Sequence, residues 1–172
     1  MNMKEELDVI EILWSGPYDP EWIIKNATSG SDCGIYQIYG THAITGPETL
    51  LYIGKTKDGT FSDRISSHQE NWPFQHEPAG IQIYLGRLGS TEAMTEEKWK
   101  SWDDEIDRAE TLLISEATPP YNSAGINYGI KMRLETVVLN YGKRQRLPNT
   151  VSSLRFSSAV FTPKWRLFGE EH

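Results

Sequence analysis

The chain has 172 residues, 38% of them hydrophobic and 24% charged, which is the composition of a globular protein with a single core. A net charge of −7 argues weakly against a nucleic-acid partner, and the single cysteine, Cys33, excludes an internal disulfide. No apolar run reaches the length of a membrane span and the N-terminal residues are acidic rather than those of a signal peptide, so we expect a cytoplasmic protein that does not contact a membrane.

Residues 1–32 predict a strand followed by a short helix. The apolar run at Val9–Trp14 favours a strand, and Pro20 is tolerated in the first turn of a helix that would reach Asn26. We interpret residues 1–32 as an N-terminal buttress that packs against the core.

Two strands and a helix are predicted next. Gly34–Tyr39 and Thr49–Gly54 are rich in aliphatic and tyrosine residues, and the nine residues between them predict an antiparallel hairpin with a long loop. Ser62 is a favourable N-cap for a helix that continues to about Asn71.

Gly80–Leu88 alternates apolar and polar residues and predicts a third strand, and Thr95–Ala117 predicts a long helix. Apolar side chains recur in this helix at steps of three and four residues: Trp99, Trp102, Ile106, Ala109, Leu113 and Ala117. Glu110 falls beside that stripe, where a carboxylate needs a charged partner or a bound cation. We expect the other acidic side chains of the helix to face water.

The C-terminal third favours strands again, over Leu134–Tyr141, with a short helix starting at Leu147 and edge strands at 159–161 and 165–168. The order strand, strand, helix, strand, helix over the centre of the chain predicts an α+β fold with a small antiparallel sheet of about three strands flanked by helices. We interpret residues 1–172 as one domain, in which residues 124–172 form a basic C-terminal extension.

Residues 33–123 resemble a known family. Gly34-Ile35-Tyr36 is followed by Tyr52-Ile53-Gly54, and these two tripeptides are similar to the signature of the GIY-YIG nuclease superfamily. Further residues stand where members of that family have an arginine and a histidine on the first helix, a glutamate on a later helix and an asparagine after a proline: Arg64, His68, Glu110 and Asn122.

The resemblance implies a metal-dependent endonuclease that hydrolyses phosphodiester bonds of DNA. Glu110 would be the protein ligand of Mg²⁺ or Mn²⁺, since such an ion is often held by one or two carboxylates plus waters and substrate phosphates. Arg64 would clamp the scissile phosphate and neutralise the charge that develops on it. Gly34, Gly54 and Asn122 would have structural roles.

The general base is assigned to Tyr36, with His68 as the rival base or a proton relay. Tyr52 and His68 would otherwise position the phosphate or the attacking water. An unperturbed tyrosine has a pKa of about 10, so a tyrosine base needs help, and we expect the charges of Lys55 and Arg64 to favour the Tyr36 phenolate.

Basic residues outside the motif are expected to contact DNA. Residues 123–172 contain eight basic and three acidic residues, so a positive face on an acidic body is possible. The predicted DNA-binding residues are Lys57, Lys131, Arg133, Lys143, Arg144 and Arg146. An alternative is that the basic extension neutralises the acidic segment 91–122. RNA is the alternative substrate, and the protein is expected to be a monomer or a homodimer.

Two other functions remain open at this point. One is a catalytically inactive nucleic-acid-binding module, against which the complete motif set argues. The other is a regulatory or interaction protein, which the acidic composition and six tryptophans favour mildly because an acidic surface suits a basic partner.

Overall fold

The alternation of buried and exposed side chains builds six strands and three helices in the residues that the computed structural model describes, 7–69, 80–89, 96–123 and 135–153. For residues 69 and 96–101 only the backbone is described. The elements are β1 (Leu7–Tyr18), α1 (Pro20–Asn26), β2 (Gly34–His42), β3 (Gly46–Thr56), α2 (Phe61–Gln69), β4 (Gln82–Leu88), α3 (Glu96–Ala117), β5 (Glu135–Gly142) and β6 (Thr150–Ser152).

All six strands belong to one curled sheet with the order β3-β2-β4-β1-β5-β6. The neighbours β1 and β5 are parallel, and the other pairs are antiparallel. The predicted sheet of about three antiparallel strands is therefore wrong, although the α+β class holds. The strands predicted for that small sheet are β3, β2 and β4, at one end of a larger mixed sheet. The other half consists of β1 and β5, which were also predicted as strands, and of β6.

Two predicted details of the chain's local structure are also wrong. The hairpin between β2 and β3 has a short connection at residues 43–45, because both strands extend beyond their predicted ends. A turn, not a helix, contains Leu147, and the chain then enters β6. The predicted edge strands at 159–161 and 165–168 lie outside the described residues.

Helix α2 begins two residues earlier than predicted, at Phe61, and is capped by Thr60 rather than Ser62. The Asp63 N–H donates to the Thr60 hydroxyl (3.2 Å) while the Asp63 carboxylate accepts the Thr60 N–H (2.9 Å), which is the reciprocal arrangement of a capping box. Ser62 lies inside the helix, and its hydroxyl donates to the carbonyl of Ile24 (2.7 Å). The serine thus joins α2 to α1.

The sheet has a hydrophobic core on each face. Helices α1 and α2 cover the half of one face formed by β2, β3 and β4, with Ile23, Phe61 and Ile65 fully buried. Helix α3 covers the other face, and its predicted apolar stripe is buried from Trp102 to Leu113 as expected, with Ala117 partly buried. No helix among the described residues is long and apolar enough to cross a membrane.

Strand β3 is the edge of the sheet, and the segment after α3 supplies its missing partner. The buried side chain of Asn122 accepts the Ile53 N–H (2.9 Å) and donates to the Ile53 carbonyl (2.8 Å), so one amide satisfies both backbone groups. The Tyr121 N–H donates to the Leu51 carbonyl (3.1 Å) beside it. This gives Asn122 a structural role in holding β3 next to the end of α3.

Replacing Asn122 by alanine is expected to lower the free energy of unfolding by about 2–3 kcal/mol, because the buried N–H and carbonyl of Ile53 both lose their partner. Urea denaturation followed by circular dichroism measures the loss. Asn149→Ala, at an exposed position of the β5–β6 connection, is the matched control and should change stability by less than about 0.5 kcal/mol. Equal losses in the two variants would contradict the structural role.

Candidate active site

The motif residues meet at the free edge of the sheet, where β3 lies between α2 and α3. An open cleft of about 540 Å³ lies there. It is lined by residues of β3, of the β3–α2 connection, of α2 and of α3: Lys55, Thr56, Lys57, Asp58, Gly59, Thr60, Asp63, Arg64, Ser67 and Glu110. Three of the predicted catalytic residues, Lys55, Arg64 and Glu110, therefore face the same space.

Beside the cleft, Tyr36 of β2 and His68 of α2 form a hydrogen-bonded pair. The Tyr36 hydroxyl and His68 Nε2 are 2.7 Å apart, and the Tyr36 side chain is fully buried. The ring of Tyr52 packs against both, with centroids 6.1 Å from Tyr36 and 5.6 Å from His68. The Arg64 guanidinium lies near the hydroxyls of Tyr36 and Tyr52, where its charge acts on Tyr36, and so links this aromatic cluster to the cleft.

Burial sets the protonation of the Tyr36–His68 pair. Burial raises the pKa of Tyr36 above its usual range. The neighbouring Tyr52 raises this pKa further, and Arg64 offsets part of the increase. Burial and then the charge of Arg64 lower the pKa of His68 to about 4. At neutral pH the tyrosine is therefore protonated and the imidazole uncharged, and the hydroxyl donates to Nε2 when the imidazole proton is on Nδ1.

The expected Tyr36 phenolate is therefore wrong for the resting protein. Arg64 does favour the phenolate, but desolvation of a fully buried hydroxyl outweighs that one charge. Lys55 gives no such help, because its ammonium pairs with carboxylates of α3 instead. A role for Tyr36 in proton transfer must begin from the neutral phenol.

The two motif glycines leave room for this arrangement. A Cβ on Gly54 would lie 2.5 Å from Tyr36 Cζ and 2.7 Å from Tyr52 Cε1, so the ring of Tyr36 can cross β3 only over a glycine. Gly34 has a φ of +147°, and a Cβ there would collide with the carbonyl of Gly86 on β4. Both positions agree with the structural roles predicted for them.

Across the cleft, α3 presents Glu110 to the lysines at the end of β3. The Lys55 ammonium lies 2.5 Å from Glu110 Oε2 and 2.8 Å from Asp107 Oδ1. Lys57 lies 2.9 Å from Asp107 Oδ2. The partially buried Glu110 thus has the charged partner that its position beside the apolar stripe required.

Asp107 is the site residue that the sequence interpretation missed, since the acidic side chains of α3 other than Glu110 were expected to face water. Its hydrogen bonds to Lys55 and Lys57 outweigh its partial burial and hold its pKa below the usual range. The helical spacing of three residues that puts Asp107 on the Glu110 side of α3 was available in the sequence. Its two lysine partners, some fifty residues away in the chain, were not.

The donor set suits a hard divalent cation. Among the residues that the structure describes, no group of three or more His, Cys, Asp or Glu side chains could hold a metal by itself. Mg²⁺ and Mn²⁺ do not need such a group, because carboxylates of one or two residues with water and phosphate oxygens complete their coordination. Glu110, at the wall of an open cleft with the Asp107 carboxylate one helical turn away, is compatible with that mode of binding.

The predicted DNA-binding residues separate into two places. Lys57 lines the cleft. Lys143, Arg144 and Arg146 lie in the turn between β5 and β6, beyond the cleft lining, where the Arg146 N–H donates to the Tyr39 hydroxyl (3.4 Å) and the Arg144 guanidinium to the Leu147 carbonyl. Lys131 and Arg133 lie outside the described residues.

Comparison with known proteins adds no relative. No protein-family model, no curated protein and no solved structure matches the chain. The interpretation of the cleft therefore depends on its own residues and geometry.

The imidazole of His68 is expected to titrate near pH 4, well below an unperturbed histidine. The imidazole ¹⁵N shifts followed by NMR across the acid range measure this directly, and they should show a neutral ring with an unprotonated Nε2 at pH 7. A midpoint near 6.5 would contradict the buried, hydrogen-bonded pair.

The lowered pKa of His68 also determines how the stability of the protein depends on pH. Between pH 6.5 and 4 the unfolded chain binds a proton that folded His68 does not, so the contribution of His68 is complete above about pH 6.5 and is lost as the pH falls towards 4. His68→Gln should make the stability less dependent on pH in that window.

Proposed function

We propose that this chain is a GIY-YIG nuclease, a metal-dependent endonuclease that hydrolyses phosphodiester bonds of DNA. The observation that supports this best is the convergence of β2, β3, α2 and α3 on one cleft. Arg64 lies at one wall with the Tyr36–His68 pair behind it, and Glu110 lies at the opposite wall. Packing alone gives no reason to gather these groups around one open space.

In the proposed reaction, a water molecule attacks the phosphorus and loses a proton while the bond between the phosphorus and the leaving oxygen breaks. The Tyr36 hydroxyl accepts that proton while its own proton passes along the existing hydrogen bond to His68 Nε2. This relay avoids a free phenolate in a buried site, and it uses an imidazole that is neutral at pH 7. Tyr36 and His68 then act together, as base and proton acceptor.

Arg64 couples substrate binding to this relay. In the absence of substrate, its guanidinium lies beside the hydroxyls of Tyr36 and Tyr52. A phosphate oxygen draws the guanidinium away from them, because its hydrogen bonds to a charged phosphate are stronger than an interaction with a phenol. Substrate binding thereby frees the lone pairs of the Tyr36 hydroxyl for the water, and Arg64 stabilises the charge on the phosphate.

Glu110 would hold a divalent cation, with Asp107 beside it, at the wall facing Arg64. Such an ion, when bound, stabilises the charge that builds on the phosphate and on the leaving oxygen. The protein residues would orient the phosphodiester between Arg64 on the α2 side and Lys57 and Glu110 on the α3 side.

Incubation of the full chain with supercoiled plasmid and Mg²⁺ or Mn²⁺ tests the activity. We expect wild-type protein to nick or linearise the plasmid. Glu110→Ala and Tyr36→Phe should each reduce the rate by about 10²-fold or more, since the first removes the cation's ligand and the second the acid–base group.

Asp104→Asn is the matched control, because it removes one negative charge from an exposed position of the same helix. Its rate should equal that of the wild type. Full activity in Tyr36→Phe would remove the proposed base. No cutting of DNA or RNA by the wild-type protein would favour a catalytically inactive binding module or an interaction protein instead.

The basic turn between β5 and β6 gives a separate prediction about binding. If Lys143 and Arg146 contact phosphates, the double variant Lys143→Gln/Arg146→Gln should lower the slope of log affinity against log salt by up to about two units. Fluorescence anisotropy with a labelled duplex, in the absence of divalent cations, measures the slope. Lys25→Gln, exposed on α1, is the control. An unchanged slope would mean that the turn serves another purpose.

A further inference from the structure

Asp107 is the centre of a small network of charges between β3 and α3. Its carboxylate receives Lys55 on one oxygen (2.8 Å) and Lys57 on the other (2.9 Å). Lys55 also contacts Glu110 (2.5 Å), so this ammonium is shared between two carboxylates. The side chains of Glu110 and Asp107 are 17% and 44% exposed, so Asp107 lies towards the solvent and Glu110 deeper.

This network creates a conflict at Glu110. An ammonium in contact with a carboxylate opposes the binding of a divalent cation to the same oxygens, because it supplies competing positive charge and blocks an approach. Lys55 is nevertheless placed at Glu110 and faces the cleft. A second acceptor for Lys55 reduces the competition, since the ammonium can move towards that acceptor when a cation arrives.

We propose that Asp107 is a positioning residue that gives the Lys55 ammonium an alternative acceptor to Glu110 and thereby determines the affinity of Glu110 for a divalent cation. The inference rests on the proposed function only in assigning the cation to Glu110. It concerns the residues of this chain, and binding of the cation can be measured without any cleavage.

The experiment is a titration of the full chain with Mn²⁺, in which electron paramagnetic resonance measures the unbound ion. Wild-type protein should bind Mn²⁺ and Glu110→Gln should not. In Asp107→Asn, Lys55 is left with Glu110 alone and one nearby negative charge is lost. The Mn²⁺ dissociation constant should therefore rise by on the order of tenfold.

A double-mutant cycle separates positioning from simple loss of charge. In a Lys55→Met background there is no ammonium to hold, so Asp107→Asn should weaken Mn²⁺ binding by no more than about twofold. The same weakening in both backgrounds would show that Asp107 acts only through its own charge and would overturn the proposal. Unchanged Mn²⁺ binding in Asp107→Asn would also overturn it.

Two further variants exclude a purely structural explanation. Asp104→Asn removes the same charge from an exposed position of α3 and should leave the dissociation constant unchanged. Asp107→Glu retains the carboxylate and should restore most of the affinity. Thermal unfolding of every variant identifies those that are unfolded, and a loss of stability without a change in Mn²⁺ affinity would count against the proposal.

Plasmid cleavage by the same samples keeps the two ideas distinguishable. If the wild type cuts DNA and Asp107→Asn binds Mn²⁺ normally, only the inference about Asp107 fails. If the wild type binds Mn²⁺ through Glu110 but cuts nothing, the nuclease proposal fails and the cycle still decides the role of Asp107. If the wild type binds no Mn²⁺, the inference about Asp107 fails whatever the cleavage result.

Discussion

The register of the edge strand β3 is the constraint on which the site depends. A bulge puts Leu51 and Tyr52 on the same face, and from Tyr52 onwards successive residues alternate. Tyr52 and Gly54 therefore meet Tyr36, whereas Ile53 and Lys55 meet α3. A shift of one residue would put the lysine against the Tyr36 ring and the glycine opposite Glu110. The site can be assembled from both faces of the sheet only because β3 is its edge.

The two sides of β3 have opposite electrostatic character. On the α2 side, burial keeps Tyr36 and His68 uncharged at neutral pH. On the α3 side, Lys55 and Glu110 form an ion pair, in which each supplies the charged partner that partial burial requires. Arg64 lies beside both environments, since it lines the cleft and its charge acts on Tyr36. Under the proposed function, proton transfer and charge stabilisation are separated in space and joined through this arginine.

Local patterns were sufficient to predict the elements that carry the motif, namely β2, β3, β4, α2 and α3, and the two glycines. The sheet as a whole was not predictable in this way, because the parallel pairing of Leu7 with Glu135 joins residues at opposite ends of the chain without any local signature. The expected phenolate form of Tyr36 was wrong for a related reason. It depends on how completely the fold buries the hydroxyl, which no spacing of residues reveals. The helical spacing did place Asp107 on the same side of α3 as Glu110. Only its distant partners, Lys55 and Lys57, make Asp107 part of the site.

In an acidic protein, a cleft can attract a phosphate only if basic side chains balance the carboxylates that line it. The residues lining the cleft include three basic side chains, Lys55, Lys57 and Arg64, and three carboxylates, Asp58, Asp63 and Glu110. One of these carboxylates, Asp63, also caps α2. The lining is therefore neutral as it stands, and a divalent cation on Glu110 would make it positive. Under the proposed function, attraction of the phosphodiester to this cleft should then depend on the cation, so that metal and substrate each strengthen the binding of the other.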